Sequence, residues 1–312
     1  MIEFQHIQKD YENETALQDL SLTVQSHELF VLVGPSGSGK TTLLKTVNRL
    51  VVPTSGQVLL DGQDVAAVNL QTLRQHIGYV LQSSALFPNM TVQQNAGVQL
   101  EALGWPKDKI AARVRELLAR VDLDPAIYAD RMPAELSGGE AQRVGIVRAL
   151  AGKPNLILMD EPFSALDPVS KRQLQDLILK LHAETHTTVI FVTHDMQEAV
   201  RLADRLAVIH AGQLQQVGTP EEILQAPATD FVANFFASVD NGESLAQVVA
   251  AGLGSIDAAA TATELPASAT IYTWAQLLRE HPNQNVRLGA RVLVPADLIS
   301  YLAQMGKEEN DA

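Results

Sequence analysis

The chain has 312 residues, 46% of them hydrophobic, which suits one large domain or two moderate ones with a real core. It carries no cysteine, so disulfides, thiolate metal sites and cysteine nucleophiles are excluded. A formal net charge of −13 argues against a general binder of DNA, RNA or anionic lipid, and no nucleic-acid partner is expected.

The first residues, Met1-Ile2-Glu3-Phe4-Gln5-His6, do not read as a signal peptide, and no apolar stretch reaches membrane-spanning length. A cytosolic protein is expected, with any membrane role supplied through a partner. Residues 1 to about 60 look β-rich. The stretches 2–7 and 20–24 alternate, 29–33 is an apolar β-branched run, and 56–62 reads as a strand ending in a turn. Leu43, Val47 and Leu50 recur at helical spacing, and 77–81 is strand-like. Residues from about 90 to 152 look helical, most clearly 111–118. Strand and helix then alternate: strand 156–159, helix 169–182, strand 188–192, a helix around 196–203, strand 206–209. This is an α/β pattern with a parallel sheet, interrupted by a helical insertion.

Beyond about residue 240 the composition changes. Residues 241–270 read as a linker, rich in Ala, Gly, Ser and Thr over 251–270. Pattern returns over 271–305, with an amphipathic helix (Trp274, Leu277, Leu278), an apolar strand-like Val292-Leu293-Val294 and a second helix (Leu298, Leu302). The last six residues are polar and read as frayed. The expected organisation is a domain over 1–240 with its helical part at about 83–152, then a linker, then a small extension over 271–312.

The chemistry begins at Gly34-Pro35-Ser36-Gly37-Ser38-Gly39-Lys40-Thr41-Thr42, which fits G-x-x-x-x-G-K-[ST] at every specified position. A strand precedes it and a helix follows, as the motif requires. Glycines let the backbone N–H groups curl into an anion nest, and the helix N-terminus adds partial positive charge. Lys40 can reach β- and γ-phosphates, Thr41 can ligate Mg²⁺, and Thr42 is a second hydroxyl donor. At the end of the 156–159 strand stand Asp160 and Glu161. Neighbours on a strand leave on opposite sides, so Asp160 can serve Mg²⁺ while Glu161 polarises the attacking water. Taken alone, Asp-Glu-Pro also reads as an acidic strand end capping a helix. His194 follows another strand at the edge where open α/β folds bind ligands and can hydrogen-bond a γ-phosphate. Gln82 follows 77–81, where its amide oxygen can contact Mg²⁺ or water; a lone Gln is more often a surface amide. Leu136-Ser137-Gly138-Gly139-Glu140 opens a helix with Ser137 as N-cap, and its glycines leave a bare helix start able to approach a second phosphate.

Together these residues resemble the ATP-binding subunits of ABC transporters. The markers occur in the family's order: Gly34 to Thr42 (Walker A), Gln82 (Q-loop), Leu136 to Glu140 (signature), 156–161 (Walker B), Ser164-Ala165-Leu166-Asp167 (D-loop) and His194 (switch histidine). Tyr11 resembles the aromatic that stacks on adenine in this family. The resemblance covers about residues 1–237. It implies a P-loop NTPase core of ABC type with an N-terminal antiparallel β subdomain, binding ATP and Mg²⁺ and hydrolysing ATP with Glu161, His194 and Gln82. It also implies a second copy of the chain, arranged so that each ATP lies between one Walker A and the other copy's Ser137, Gly138, Gly139 and Glu140. Transmembrane permease subunits would dock around Gln82 and 83–95, with Phe87 and Met90 as contacts, placing the chain on the cytoplasmic face of the membrane. An extracytoplasmic substrate-binding protein would take part indirectly.

Three stretches, 85–92, 140–150 and 218–224, look most like importers of quaternary amines such as glycine betaine, carnitine or choline. An importer of another small solute, such as an amino acid, is the neighbouring alternative. A soluble ABC ATPase is the more distant one, against which stand the single phosphate loop, the lack of heptads and the acidic charge. Two departures stand out. The signature ends in Glu140, where Gln is commoner, and the tail is too short for the tandem CBS modules of many osmoprotectant ATPases. Residues 271–312 read as an α+β or partly disordered extension: one degenerate CBS-like module or an unrelated dimer contact.

Overall fold

The structure is a computed structural model that describes residues 1–12, 14–164, 166–237, 245–255, 262–265, 269 and 271–308. It divides into two compact units, 1–232 and 233–312. Among the described residues ten strands belong to the first unit: β1 (Ile2–Tyr11), β2 (Glu14–Val24), β3 (Leu29–Val33), β4 (Ser55–Leu60), β5 (Gln63–Asp64), β6 (Ile77–Val80), β7 (Leu156–Asp160), β8 (Thr188–Thr193), β9 (Arg205–His210) and β10 (Gln213–Gly218).

They form two sheets. An antiparallel sheet has the order β2-β1-β4-β5, and a six-stranded sheet has the order β10-β9-β3-β8-β7-β6. In β1 the sequence alternation breaks after Phe4, because Ile7 rather than His6 is the next buried residue. The ladder shifts register between Phe4 and Ile7, and His6 takes a left-handed φ of 54° there. Strands β3, β7 and β8 are buried at every residue, which is why they read as continuous apolar runs. The central sheet is parallel except for β10, which pairs antiparallel with β9. The sequence reads as a parallel sheet and assigns no strand over 213–218, since Gln-Leu-Gln-Gln-Val-Gly carries little apolar signal. Cross-strand register aligns Val33 with Thr193 and Asp160 with Val192. The loops that follow β3, β7 and β8 therefore leave the sheet at the same, carboxyl edge.

Helices α1 (Lys40–Val47) and α2 (Leu70–Gln75) precede the helical insertion. The insertion comprises α3 (Val92–Ala102), α4 (Lys107–Arg120), α5 (Pro125–Tyr128) and α6 (Gly138–Ala151). In α4 the buried residues Ile110, Val114, Leu117 and Leu118 form one stripe, and α3 and α4 both pack on α6. Then come α7 (Pro168–Thr185), α8 (Met196–Leu202), α9 (Pro220–Gln225) and α10 (Asp230–Phe236).

The second unit holds α11 (Leu245–Ala250), β11 (Thr263–Glu264), α12 (Ile271–Glu280), β12 (Val286–Leu288), β13 (Arg291–Leu293) and α13 (Pro295–Glu308). Its described strands form a sheet, β12 lying parallel to β11 and antiparallel to β13. Leu245, Val248, Trp274, Val286, Leu293 and Leu298 make its core, and the Trp274 indole N–H donates to Gln284 O at 3.1 Å. Within the stretch that reads as a linker, residues 241–244, 256–261, 266–268 and 270 lie outside the described residues, while 245–250 is helical. Among the described residues no helix is long and apolar enough to cross a membrane.

Candidate nucleotide site

The loop from Gly34 to Gly39 joins β3 to α1 at the carboxyl edge. Two of its glycines are structurally required. Gly39 is the N-cap of α1 at φ 97°, and a Cβ there would lie 2.4 Å from Ala16 O. Gly34 has φ 153°, and a Cβ would lie 2.0 Å from Ile209 O. The loop thus packs closely against both β2 and β9. Lys40 is 4% exposed, and its ammonium donates to Gly34 O and Pro35 O, both at 2.7 Å. Burial pushes its pKa down, against the opposing pull of Glu161 and Asp160. A buried ammonium held only by neutral oxygens is underpaired, so an anion brought to this loop gains a charge-assisted partner.

Asp160 is nearly buried and meets several side chains. The Thr41 hydroxyl donates to its Oδ1 at 2.6 Å, the Tyr79 hydroxyl approaches Oδ2 at 3.4 Å, and Lys45 Nζ lies 3.6 Å from Oδ2. Burial, and then the Asp160 charge, drive the Tyr79 hydroxyl strongly upward, so it stays a proton donor. The Thr41 hydroxyl and the Asp160 carboxylate are hard oxygen donors of the kind Mg²⁺ takes.

Glu161 turns away to a different partner. It sits at φ 45°, its N–H bound to Val192 O at 3.1 Å, and its Oε2 lies 3.0 Å from His194 Nδ1. The two adjacent carboxylates therefore face different partners; Glu161 lies beyond the end of β7 in a left-handed conformation, so it is this turn and not strand alternation that separates them. Gln82 lies two residues beyond Val80, which pairs with Met159 of β7, so it also stands at this edge. It is exposed and has no side-chain hydrogen bond among the described residues. Tyr11 is 46% exposed at the tip of the β1–β2 hairpin, with Lys9 Nζ 5.0 Å above its ring centroid. It pairs with Glu14, two residues from the Ala16 that touches Gly39.

Among the described residues the signature stretch shares no hydrogen bond with these and makes its own contacts. Ser137 caps α6 in a full capping box: its hydroxyl accepts from Glu140 N at 3.3 Å, and Glu140 Oε2 accepts from Ser137 N at 2.7 Å. Ser137 and Gly138 are exposed. Ser137, Gly139 and Glu140 border an open cavity of 660 Å³ together with Tyr128, Arg143 and Ser170. Asp167 caps α7, accepting from Val169 N at 3.1 Å and Ser170 N at 3.0 Å. Ala165, in the middle of the expected D-loop, lies outside the described residues. A further cavity, of 830 Å³, opens at the opposite edge of the sheet beside Ile2, Leu156 and Thr188 and contains none of these groups.

Sequence reasoning misses the residues that hold the site. Lys45, one helical turn after Thr41, and Tyr79, on β6, are not singled out by it. Gln142 Nε2 donates to Leu81 O at 3.1 Å, and Arg148 donates to Ser84 O and Ala85 O, both at 2.9 Å. The signature helix thereby grips the segment around Gln82. The i, i+4 spacing of Thr41 and Lys45 was a readable signal; the α6 contacts had none, because they join residues more than 60 positions apart.

The fold and this loop geometry define a nucleotide-binding cassette. The family model for ABC transporters matches residues 17–164. Over 236 residues the chain is 47% identical to the glycine betaine/carnitine/choline transport ATP-binding protein OpuCA of Bacillus subtilis, covering 75% of this chain and 62% of that protein. It is 42% identical to the glycine betaine uptake system ATP-binding protein YehX of Escherichia coli, covering 78% of this chain and 79% of YehX. Among solved structures, the dimeric post-hydrolysis state of the ATP-binding cassette MJ0796 bound to ADP and Pi aligns with a TM-score of 0.65 and 31% identity, over 70% of this chain and 99% of that one. The chain belongs to the ABC transporter family, in its ATP-binding branch. It spans 62% of the length of OpuCA from Bacillus subtilis.

Proposed function

We propose that this chain is the ATP-hydrolysing subunit of an importer for a quaternary amine such as glycine betaine, carnitine or choline. The observation that carries the hydrolytic reading is the 3.0 Å contact between Glu161 and His194, beside the bonded pair Thr41 and Asp160. The substrate class is supported by the relatives named for glycine betaine, carnitine and choline.

In this reading the Gly34 to Gly39 loop and Lys40 bind the β- and γ-phosphates, and Thr41 and Thr42 add hydroxyls. Thr41 and Asp160, with Gln82, hold Mg²⁺, which when bound neutralises charge on the phosphates. Tyr11 stacks on adenine. Glu161 accepts a proton from the attacking water, and His194 orients that carboxylate and the γ-phosphate. Ser137, Gly138, Gly139 and Glu140 meet the ATP held by a second copy, with Asp167 at the same boundary, so two equivalent sites form about a twofold axis. Permease subunits dock around Gln82 and the exposed Phe87, at the cytoplasmic face of the membrane, and a substrate-binding protein delivers the solute.

Glu161→Gln tests the reading. MgATP should still bind, an ATP-bound dimer should accumulate on size exclusion, and hydrolysis should fall by about 10²–10⁴-fold. Hydrolysis near the wild-type rate would remove Glu161 from the chemistry.

A further inference from the structure

The turn that carries His194 is held from both sides by one polar network. Lys171 of α7 places its ammonium 2.6 Å from Asp195 Oδ2 and 2.7 Å from Glu198 Oε1. Glu198 is 6% exposed, and its other oxygen accepts from the Thr193 hydroxyl. That hydroxyl accepts in turn from Asp195 N at 2.9 Å. Asp195 Oδ1 caps α8, taking the N–H groups of Gln197 at 2.9 Å and Glu198 at 3.2 Å. The residues before and after His194 are thus both fixed, and the network's cation comes from another helix.

Without Lys171 the buried Glu198 carboxylate would lose its cationic partner and keep the Thr193 hydroxyl, which favours its rearrangement. Burial alone would lower the Lys171 pKa, but the Asp195 and Glu198 carboxylates outweigh it and hold the ammonium above its ordinary range. Lys171 therefore keeps its charge at neutral pH. Lys171 is also the fourth residue of α7, one turn from the N-cap: its N–H donates to Asp167 O at 2.9 Å. A second bridge lies further along, where Arg201 of α8 donates to Gln175 Oε1 at 3.0 Å and pairs with Asp176.

We propose that Lys171 is a positioning residue for hydrolysis: through Asp195 and Glu198 it ties the His194 turn to the helix that starts at Asp167, so that His194 meets Glu161 only while α7 is in place. The proposal rests on the reading of Glu161 and His194 given above. It makes Asp167, expected at the boundary with the second copy, the point from which arrival of that copy is felt at His194. The path is a physical one, a single helical turn and one ion-pair cluster.

Lys171→Met removes the charge and keeps the length of the side chain. In the full chain, kcat for ATP hydrolysis should fall about tenfold or more, with MgATP affinity within about twofold of wild type and most activity restored in Lys171→Arg. In ¹⁵N-histidine-labelled protein, the ring resonance that vanishes in His194→Ala should move in Lys171→Met and return in Lys171→Arg. A merely structural lysine would lower Tm without moving that resonance. If Lys171→Met does not fold, Asp195→Asn keeps the helix cap and the Lys171–Glu198 pair, and is read by the same two quantities. Unchanged kcat, or a fall in kcat with the resonance unmoved, overturns the proposal. Wild-type hydrolysis by His194→Ala overturns the underlying reading instead, and the two failures are told apart by that variant.

Discussion

Two helices of the first unit start at glycine-rich turns, and they start differently. Helix α1 has Gly39 as its N-cap, no side-chain cap and no acidic residue in its first turn, and Lys40 is its first residue. Helix α6 has Ser137 as N-cap inside a complete capping box, and the acidic Glu140 sits in its first turn. A helix N-terminus carries about half a unit of positive charge. At α1 the lysine adds to that field and no side chain occupies the N–H groups. At α6 the helix has met part of its own hydrogen-bonding need, and a carboxylate offsets the field. The first turn is thus the better suited to hold a polyphosphate; in the proposed reading the second adds contacts to a phosphate held by another copy, and its weaker field is what a half-site means in physical terms.

The contrast breaks most severely at Lys40. Removing a buried ammonium that pairs with phosphate costs about 3 kcal/mol or more, so Lys40→Ala should weaken MgATP binding about a hundredfold or more in equilibrium titration. Affinity within threefold of wild type would mean that the α1 turn does not hold the phosphates. Ser137→Arg probes the other turn. It adds bulk and charge at an exposed helix start, where intramolecular packing does not demand a bare surface: a Cβ on nearby Gly139 would make only ordinary 3.6 Å contacts with Ser170. MgATP affinity of the single chain should stay unchanged, while ATP-dependent dimerisation and hydrolysis should fall by about tenfold or more. Full hydrolysis in this variant would refute a site shared between copies.

The same contrast explains how much the sequence makes legible. The α1 turn announces itself because its backbone needs particular residue types: only glycine fits against Ala16 O and Ile209 O. Strands β3, β7 and β8 are readable because burial on both faces leaves them no polar positions. What held Asp160 and His194 in place was not readable. Tyr79 and Asp160, or Lys171 and Glu198, meet across many residues, and no local spacing encodes such a meeting. The edge strand β10 was hidden by its glutamines, since an edge needs little apolar surface. Helix α11 was hidden by its surroundings. Its six residues are too few to be helical alone, and burial of Leu245 and Val248 in the second unit's core supplies the stability that propensity does not.

The smallest effect tests whether charge, rather than glycine alone, separates the two turns. The Tyr128 hydroxyl donates to Glu140 Oε1 at 2.6 Å. That bond first, and the Ser137 N–H second, hold the Glu140 carboxyl below its ordinary range. A carboxyl depressed in the folded state contributes stability that is fully present above the ordinary glutamate pKa and disappears as pH falls through the depressed value. Tyr128→Phe removes the largest cause, so the variant should lose that contribution at a higher pH than wild type. Thermal melts from neutral to acid pH should show a small deficit at pH 7 that closes once Glu140 is protonated in both proteins, with MgATP affinity at Lys40 untouched. If the two acid limbs overlay, the Glu140 charge is set by the helix and its cap alone. The α6 turn would then differ from α1 through its own capping box, and the tyrosine behind it would have no part in making it a half-site.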